Sequence, residues 1–173
     1  MNVPPVFLEG LDFKIFGLPA HPLVVHGAVV LLPLAAIAFI ALCWRTDWRQ
    51  AYLLPITLLA LAGAAFAFLA KETGESLEET VKETGKRLGD HPENGDTAFV
   101  LSIVFGLLVF LTFVIDRFGP QIRSRLGIAD SARLPVSDAV ASYLLTFPFA
   151  LAALVTVIIA GHSGAELVWK TLP

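Results

Sequence analysis

Four stretches of this chain contain no Asp, Glu, Lys or Arg: residues 22–44, 52–70, 97–115 and 139–161. Each holds roughly the 17–25 apolar residues that a helix needs to cross the hydrocarbon of a bilayer. Lipid offers no partner to an open backbone amide, and the alternation expected of a barrel strand is absent, so the stretches read as helices. The expected fold is all-α: a polytopic membrane four-helix bundle, with residues 1–173 forming a single membrane domain. Pro33, Pro55 and Pro148 fall inside spans, where neighbouring helices tolerate them as kinks or packing devices. Ala60, Gly63, Ala64 and Ala67 form a small-residue face suited to close helix contact.

Composition agrees. Apolar residues make up 56% of the chain and charged ones only 16%, against about 25% charged in soluble domains. The net charge of −3 leaves no electrostatic footprint for nucleic acid. A single cysteine, Cys43, makes no disulfide or metal framework. No basic region precedes the first span and no small-residue cleavage site follows it, so the span is expected to be retained.

Four spans place both termini on one face, here called side X, with residues 71–96. The short link at 45–51 and the loop at 116–138 lie on side Y. Each side carries six Lys and Arg, but side Y concentrates its six close to span ends, where the positive-inside bias is counted. Side Y is therefore expected in the cytoplasm and the termini outside it. Within 71–96, Ser76-Leu77-Glu78-Glu79 matches a capping box. Glu78–Lys82 and Glu83–Arg87 follow at i,i+4 spacing. The pattern predicts a short amphipathic helix in this long second loop, broken at Gly85, and in its simplest form only a solvated linker.

All four histidines, His21, His26, His91 and His162, fall on side X. His21-Pro22 and His91-Pro92 suit helix starts, and for His21 a cap or turn role is expected. His21 and His26 lie about 140° apart on a helix and share no ligand face. His26 is an ionisable residue within a span, a functional candidate by default; its alternative is an interfacial histidine bonded to water or a carbonyl. Gly161-His162-Ser163-Gly164 suggests a left-handed helix cap, an account that leaves Glu166 unexplained. His91 is followed by Glu93 and Asp96.

The stretch from Phe16 to His26, with its His-Pro-x-x-x-His element, and the stretch from Gly161 to Val168 together resemble the bacterial membrane proteins of domain-of-unknown-function family 2231. Thr73-Gly74-Glu75-Ser76-Leu77-Glu78 and His91-Pro92-Glu93-Asn94-Gly95-Asp96 resemble that family's middle loop. The resemblance implies a four-span bacterial inner-membrane protein. Some similar proteins are fused to Rieske-type iron–sulphur domains or associated with c-type cytochrome segments, which implies redox work without assigning a reaction.

Three functions compete. One is electron transfer through haem b, held between facing helices by neutral imidazoles, with His26 and His162 as the expected axial pair. The second is a zinc-like divalent-metal site at the bundle mouth, drawing on His91, Glu93, Asp96 and Glu166. The third is a non-catalytic accessory subunit whose histidines tie loops to the bundle and whose spans meet a larger membrane complex. The bilayer is the expected partner in every case, with a redox partner added in the first. Catalysis has little support: His-Glu-x-x-His, a nucleophile elbow and a phosphate loop are all absent. The oligomeric state is not encoded in these patterns. The paired His-Pro elements before spans one and three suggest at most a distant two-hairpin duplication, and no inverted repeat argues for transport.

Overall fold

The computed structural model describes residues 14–15, 18–83, 88–127 and 137–169. A two-residue antiparallel pairing of β1 (Lys14–Ile15) with β2 (Leu18–Pro19) precedes the first helix. Four long helices follow: α1 (Ala20–Trp44), α2 (Arg49–Glu83), α3 (His91–Leu126) and α4 (Asp138–Trp169). All four are long and apolar enough to cross a membrane.

Consecutive helices run antiparallel and each packs on its neighbours in the ring α1–α2–α3–α4, with α4 closing on α1. This is the up-down-up-down bundle that short connections favour. The tight turn from α1 to α2 is a 3₁₀ segment, Thr46–Trp48. Arg49 steadies it by donating from Nε to the Leu42 carbonyl at 3.0 Å and from Nη2 to the Cys43 carbonyl at 3.3 Å. These are orphan carbonyls at the end of α1, which a cation also suits electrostatically. Helix α3 ends at Gly127 with φ 64°, the left-handed conformation that glycine adopts without strain.

Leu32, Phe39, Phe105, Val109 and Tyr143 are almost wholly buried at the centre. Phe39 stacks on Tyr143 at 5.5 Å and meets Phe105 edge-on at 6.1 Å. The outside is as apolar as the inside. Only 22–39% of each helix's most apolar window is buried against other helices, leaving Leu34, Leu58, Leu107 and Leu144 more than half exposed. Such a surface suits lipid and would aggregate in water.

The bundle is built twice from one hairpin. The buried positions of α1 recur in α3 at a constant spacing of 70 residues: Ala28 with Ala98, Leu32 with Ser102, Ala35 with Phe105, Ala36 with Gly106, Phe39 with Val109, Leu42 with Thr112. Five of those of α2 recur in α4 at a spacing of 90: Leu53 with Tyr143, Ile56 with Thr146, Ala60 with Ala150, Gly63 with Ala153, Ala67 with Val157. The difference reflects the continuation of α3 to Leu126 together with a longer connection to α4. Because both hairpins start on side X, they are related by a pseudo-two-fold axis parallel to the helices.

Two expectations need correction. The amphipathic segment is helical but not a separate helix: α2 continues unbroken through Glu83. Ser76 therefore sits mid-helix, where no free amides exist for a capping box to satisfy. The Glu78–Lys82 pair forms at 2.7 Å, while the expected Glu83–Arg87 pair and the break at Gly85 lie outside the described residues and side chains. Likewise Gly161 and Gly164 do not cap α4, which runs on to Trp169; among the described glycines, positive φ occurs at Gly89 and Gly127.

Candidate functional site

The extension of α2 and α4 past the apolar spans creates the side X site. His21, the second residue of α1, reaches α2: its Nδ1 lies 2.9 Å from the Ala70 carbonyl and 3.2 Å from Thr73 Oγ1. The Thr73 hydroxyl donates to carbonyls of its own helix, Leu69 at 2.8 Å and Ala70 at 3.2 Å. A carbonyl only accepts, so Nδ1 carries the hydrogen and donates.

His91, the first residue of α3, does the same to α4. Its Nδ1 lies 3.1 Å from Ser163 Oγ. Ser163 in turn donates to Ala160 at 3.0 Å. His21 with Ala70, Thr73 and Gly74 thus matches His91 with Ala160, Ser163 and Gly164, at the same spacings of 70 and 90 that relate the cores. The glycines are needed for the approach. A Cβ on Gly74 would stand 3.0 Å from His21 Cε1, and one on Gly164 would stand 2.8 Å from His91 Cε1. The expected cap or turn role of His21 is thereby replaced by a bond between helices.

Both imidazoles are half-buried and line one cavity of about 500 Å³. Its walls are mostly apolar, including Val29, Phe99 and Val157, and Leu32 and Ser102 are among its deepest residues. On both rings the described hydrogen bonds use Nδ1, so Nε2 bears the lone pair of this tautomer. On one flank Lys71 Nζ bridges α2 to α3, bonded to Glu75 at 2.6 Å and Asp96 at 2.7 Å.

The other expected site residues are dispersed. His26 lines the cavity but is largely exposed, its Nδ1 bonded to the Pro22 carbonyl one turn back. His162 faces outward, 76% exposed, with Nε2 3.7 Å from Glu166 Oε1 on its own helix, and is not part of the cavity wall. Glu93 is exposed in the first turn of α3, and Asp96 is engaged by Lys71. Among the described residues no three His, Cys, Asp or Glu side chains converge as a metal-ligand group. Sequence reasoning missed His21 as a partner of His91. The signal was present: Ala-x-x-(Thr/Ser)-Gly-x-x-Leu occurs at Ala70–Leu77 and again at Ala160–Leu167, following the two His-Pro elements in the same order.

No curated protein and no solved structure matches this chain. The family of predicted membrane proteins DUF2231 matches residues 17–171, nearly the whole chain and all four spanning helices. The chain belongs to that family.

Proposed function

We propose that this protein carries haem b, which His21 and His91, one from each hairpin, would hold, and that it transfers electrons at the side X face of a bacterial inner membrane. The observation that carries the reading is the duplicated histidine environment. His21 Nδ1–H is held by the Ala70 carbonyl and the Thr73 hydroxyl and His91 Nδ1–H by the Ser163 hydroxyl, which fixes tautomer and ring orientation and leaves Nε2 as a donor atom. Ligating histidines in metal sites are held in this way. Haem supplies one-electron chemistry when bound. The chain's own residues orient two imidazoles, exclude water with apolar walls, and open towards side X, where polar groups of a cofactor meet solvent. A cavity of about 500 Å³ is within the ordinary range of roughly 300–1,000 Å³ for cofactor sites.

A zinc-like site drawing on His91, Glu93, Asp96 and Glu166 has less support, because those side chains do not gather. The accessory-subunit reading accounts for the histidine bonds as struts, but not for an apolar cavity between them. The concentration of cations near the span ends of side Y supports side X as the extracytoplasmic face.

The test is an absorption spectrum of detergent-purified protein, expressed with ample haem supply, before and after dithionite, with elemental analysis on the same sample. A Soret band with sharp reduced α and β bands and about one iron per chain is expected. A colourless sample with bound zinc would move the assignment to a metal site. A colourless, metal-free sample would favour the accessory role.

A further inference from the structure

Away from the histidine cavity, a groove of about 230 Å³ runs between α3 and α4 towards side Y. Leu108, Leu111, Ile115 and Leu145 line it. Leu111 and Leu145 are 48% and 56% exposed, so the groove opens sideways onto the lipid-facing surface. Its buried hydroxyls are already engaged. Thr112 and Thr146 bond each other at 2.9 Å, Thr146 donates to the Ser142 carbonyl at 2.8 Å, and Ser142 donates to the Ala139 carbonyl at 2.7 Å. With those groups satisfied and the remaining walls apolar, the groove suits an alkyl chain. At its side Y end stands Asp138, the first residue of α4, paired with Arg123 near the end of α3. Arg123 Nε donates to Asp138 Oδ2 at 2.6 Å. Arg123 Nη1 is buried and has no hydrogen-bond partner among the described residues, and a charged donor left without an acceptor is costly. The Asp138 side chain is 39% exposed, and a carboxylate accepts more than one hydrogen bond.

A cation and an anion with bonding capacity to spare thus lie side by side where an apolar groove meets the end of the spans. We propose that this site binds a phosphatidylethanolamine of the side Y leaflet. One acyl chain lies in the groove, the phosphate accepts from the Arg123 guanidinium, and the ammonium donates to the Asp138 carboxylate. Phosphoethanolamine carries its two charges next to each other, so a head-to-tail alignment with the Arg123–Asp138 pair sets each charge against its opposite. A purely anionic headgroup offers the carboxylate nothing and is repelled by it. The quaternary ammonium of choline has no N–H to donate. Arg117 leaves this balance alone, because it turns to α2 and donates to the Gln50 carbonyl at 3.2 Å. The groove shares no residue with the histidine cavity, and the proposal stands apart from the haem reading.

The test places the full chain in nanodiscs of phosphatidylcholine, phosphatidylethanolamine and phosphatidylglycerol, in equal amounts and with matched acyl chains. Lipids that stay bound after release from the disc are counted by native mass spectrometry. Phosphatidylethanolamine is expected to be retained in preference to the other two. Asp138→Asn removes the carboxylate that receives the ammonium and frees Arg123. Retention of phosphatidylethanolamine is then expected to fall about tenfold, the worth of one charge-assisted hydrogen bond, and phosphatidylglycerol is expected to take its place. Ala141→Leu, on the groove wall, fills the groove and leaves the charged pair intact; it is expected to lower retention of phosphatidylethanolamine without that switch. Equal retention of the three headgroups by the parent protein, or a preference for phosphatidylglycerol there, would overturn the proposal. So would retention of phosphatidylethanolamine at the parent level in either variant.

Discussion

At the scale of single residues, the site depends on what two glycines lack. An added methyl at Gly164 or Gly74 meets an imidazole at 2.8 or 3.0 Å, and the ring is tied down by its Nδ1 bond. Overpacking of this kind typically costs about 1–3 kcal/mol. Gly164→Ala and Gly74→Ala are therefore expected to lower the thermal midpoint in detergent and to weaken haem retention. Gly95→Ala is the control: it lies within α3 with nothing within 4 Å of the added methyl, and helix propensity alone predicts a gain of about 0.5–1 kcal/mol. Equal effects at Gly164 and Gly95 would contradict the packing account. Ser163→Ala removes the acceptor of the His91 N–H, so a loss of about 0.5–1.5 kcal/mol is expected. His91 was legible from sequence as a candidate. His21 was not, because helical spacing was judged against His26 on the same helix. The partners of His21 lie 49 to 53 positions away on α2, a relation that periodicity within one helix does not carry.

At the scale of elements, absence of charge located all four spans, since the hydrocarbon excludes charge. The same criterion ended each span where charges begin, whereas α2, α3 and α4 continue into the aqueous boundary. Helix α2 carries Lys71, Glu75, Glu78 and Lys82 beyond its apolar part, with i,i+4 pairs that suit a helix in water. Local capping logic placed a boundary at Ser76 because a hydroxyl followed by an acid three residues on is compatible with a helix start. The same residues are also compatible with a helix interior, and α2 runs through them without a break. Spin labels placed singly at positions 70 to 82 are expected to show accessibility repeating every 3.6 residues without interruption. A break of period at Ser76 would restore the separate helix. The Lys71 bridge between α2 and α3 is partly solvated. Lys71→Ala is expected to cost no more than about 1 kcal/mol, with the difference shrinking in high salt.

At the scale of the whole molecule, duplication explains why the chain has two His-Pro elements, two Ala-x-x-(Thr/Ser)-Gly segments and one cavity. Each hairpin alone holds one anchored imidazole; the axis between the hairpins brings both to the same space. Sequence showed the His-Pro half of this repeat and hid the rest, because the cores match in position and burial more than in residue identity. Leu32 is replaced by Ser102 and Leu42 by Thr112. Orientation in the membrane follows from charge and is open to a direct check. With Cys43→Ser as background, Glu79→Cys is expected to react with an impermeant maleimide from outside the cytoplasm. Reaction only from the cytoplasmic side would invert the topology.

The central claim is that His21 and His91 form one functional pair. Reduced-minus-oxidised spectra of four single variants, His21→Ala, His91→Ala, His26→Ala and His162→Ala, test it most directly. The account predicts that the first two lose the six-coordinate haem spectrum and the last two retain it. Loss confined to His26→Ala and His162→Ala, with the other two unchanged, would contradict it.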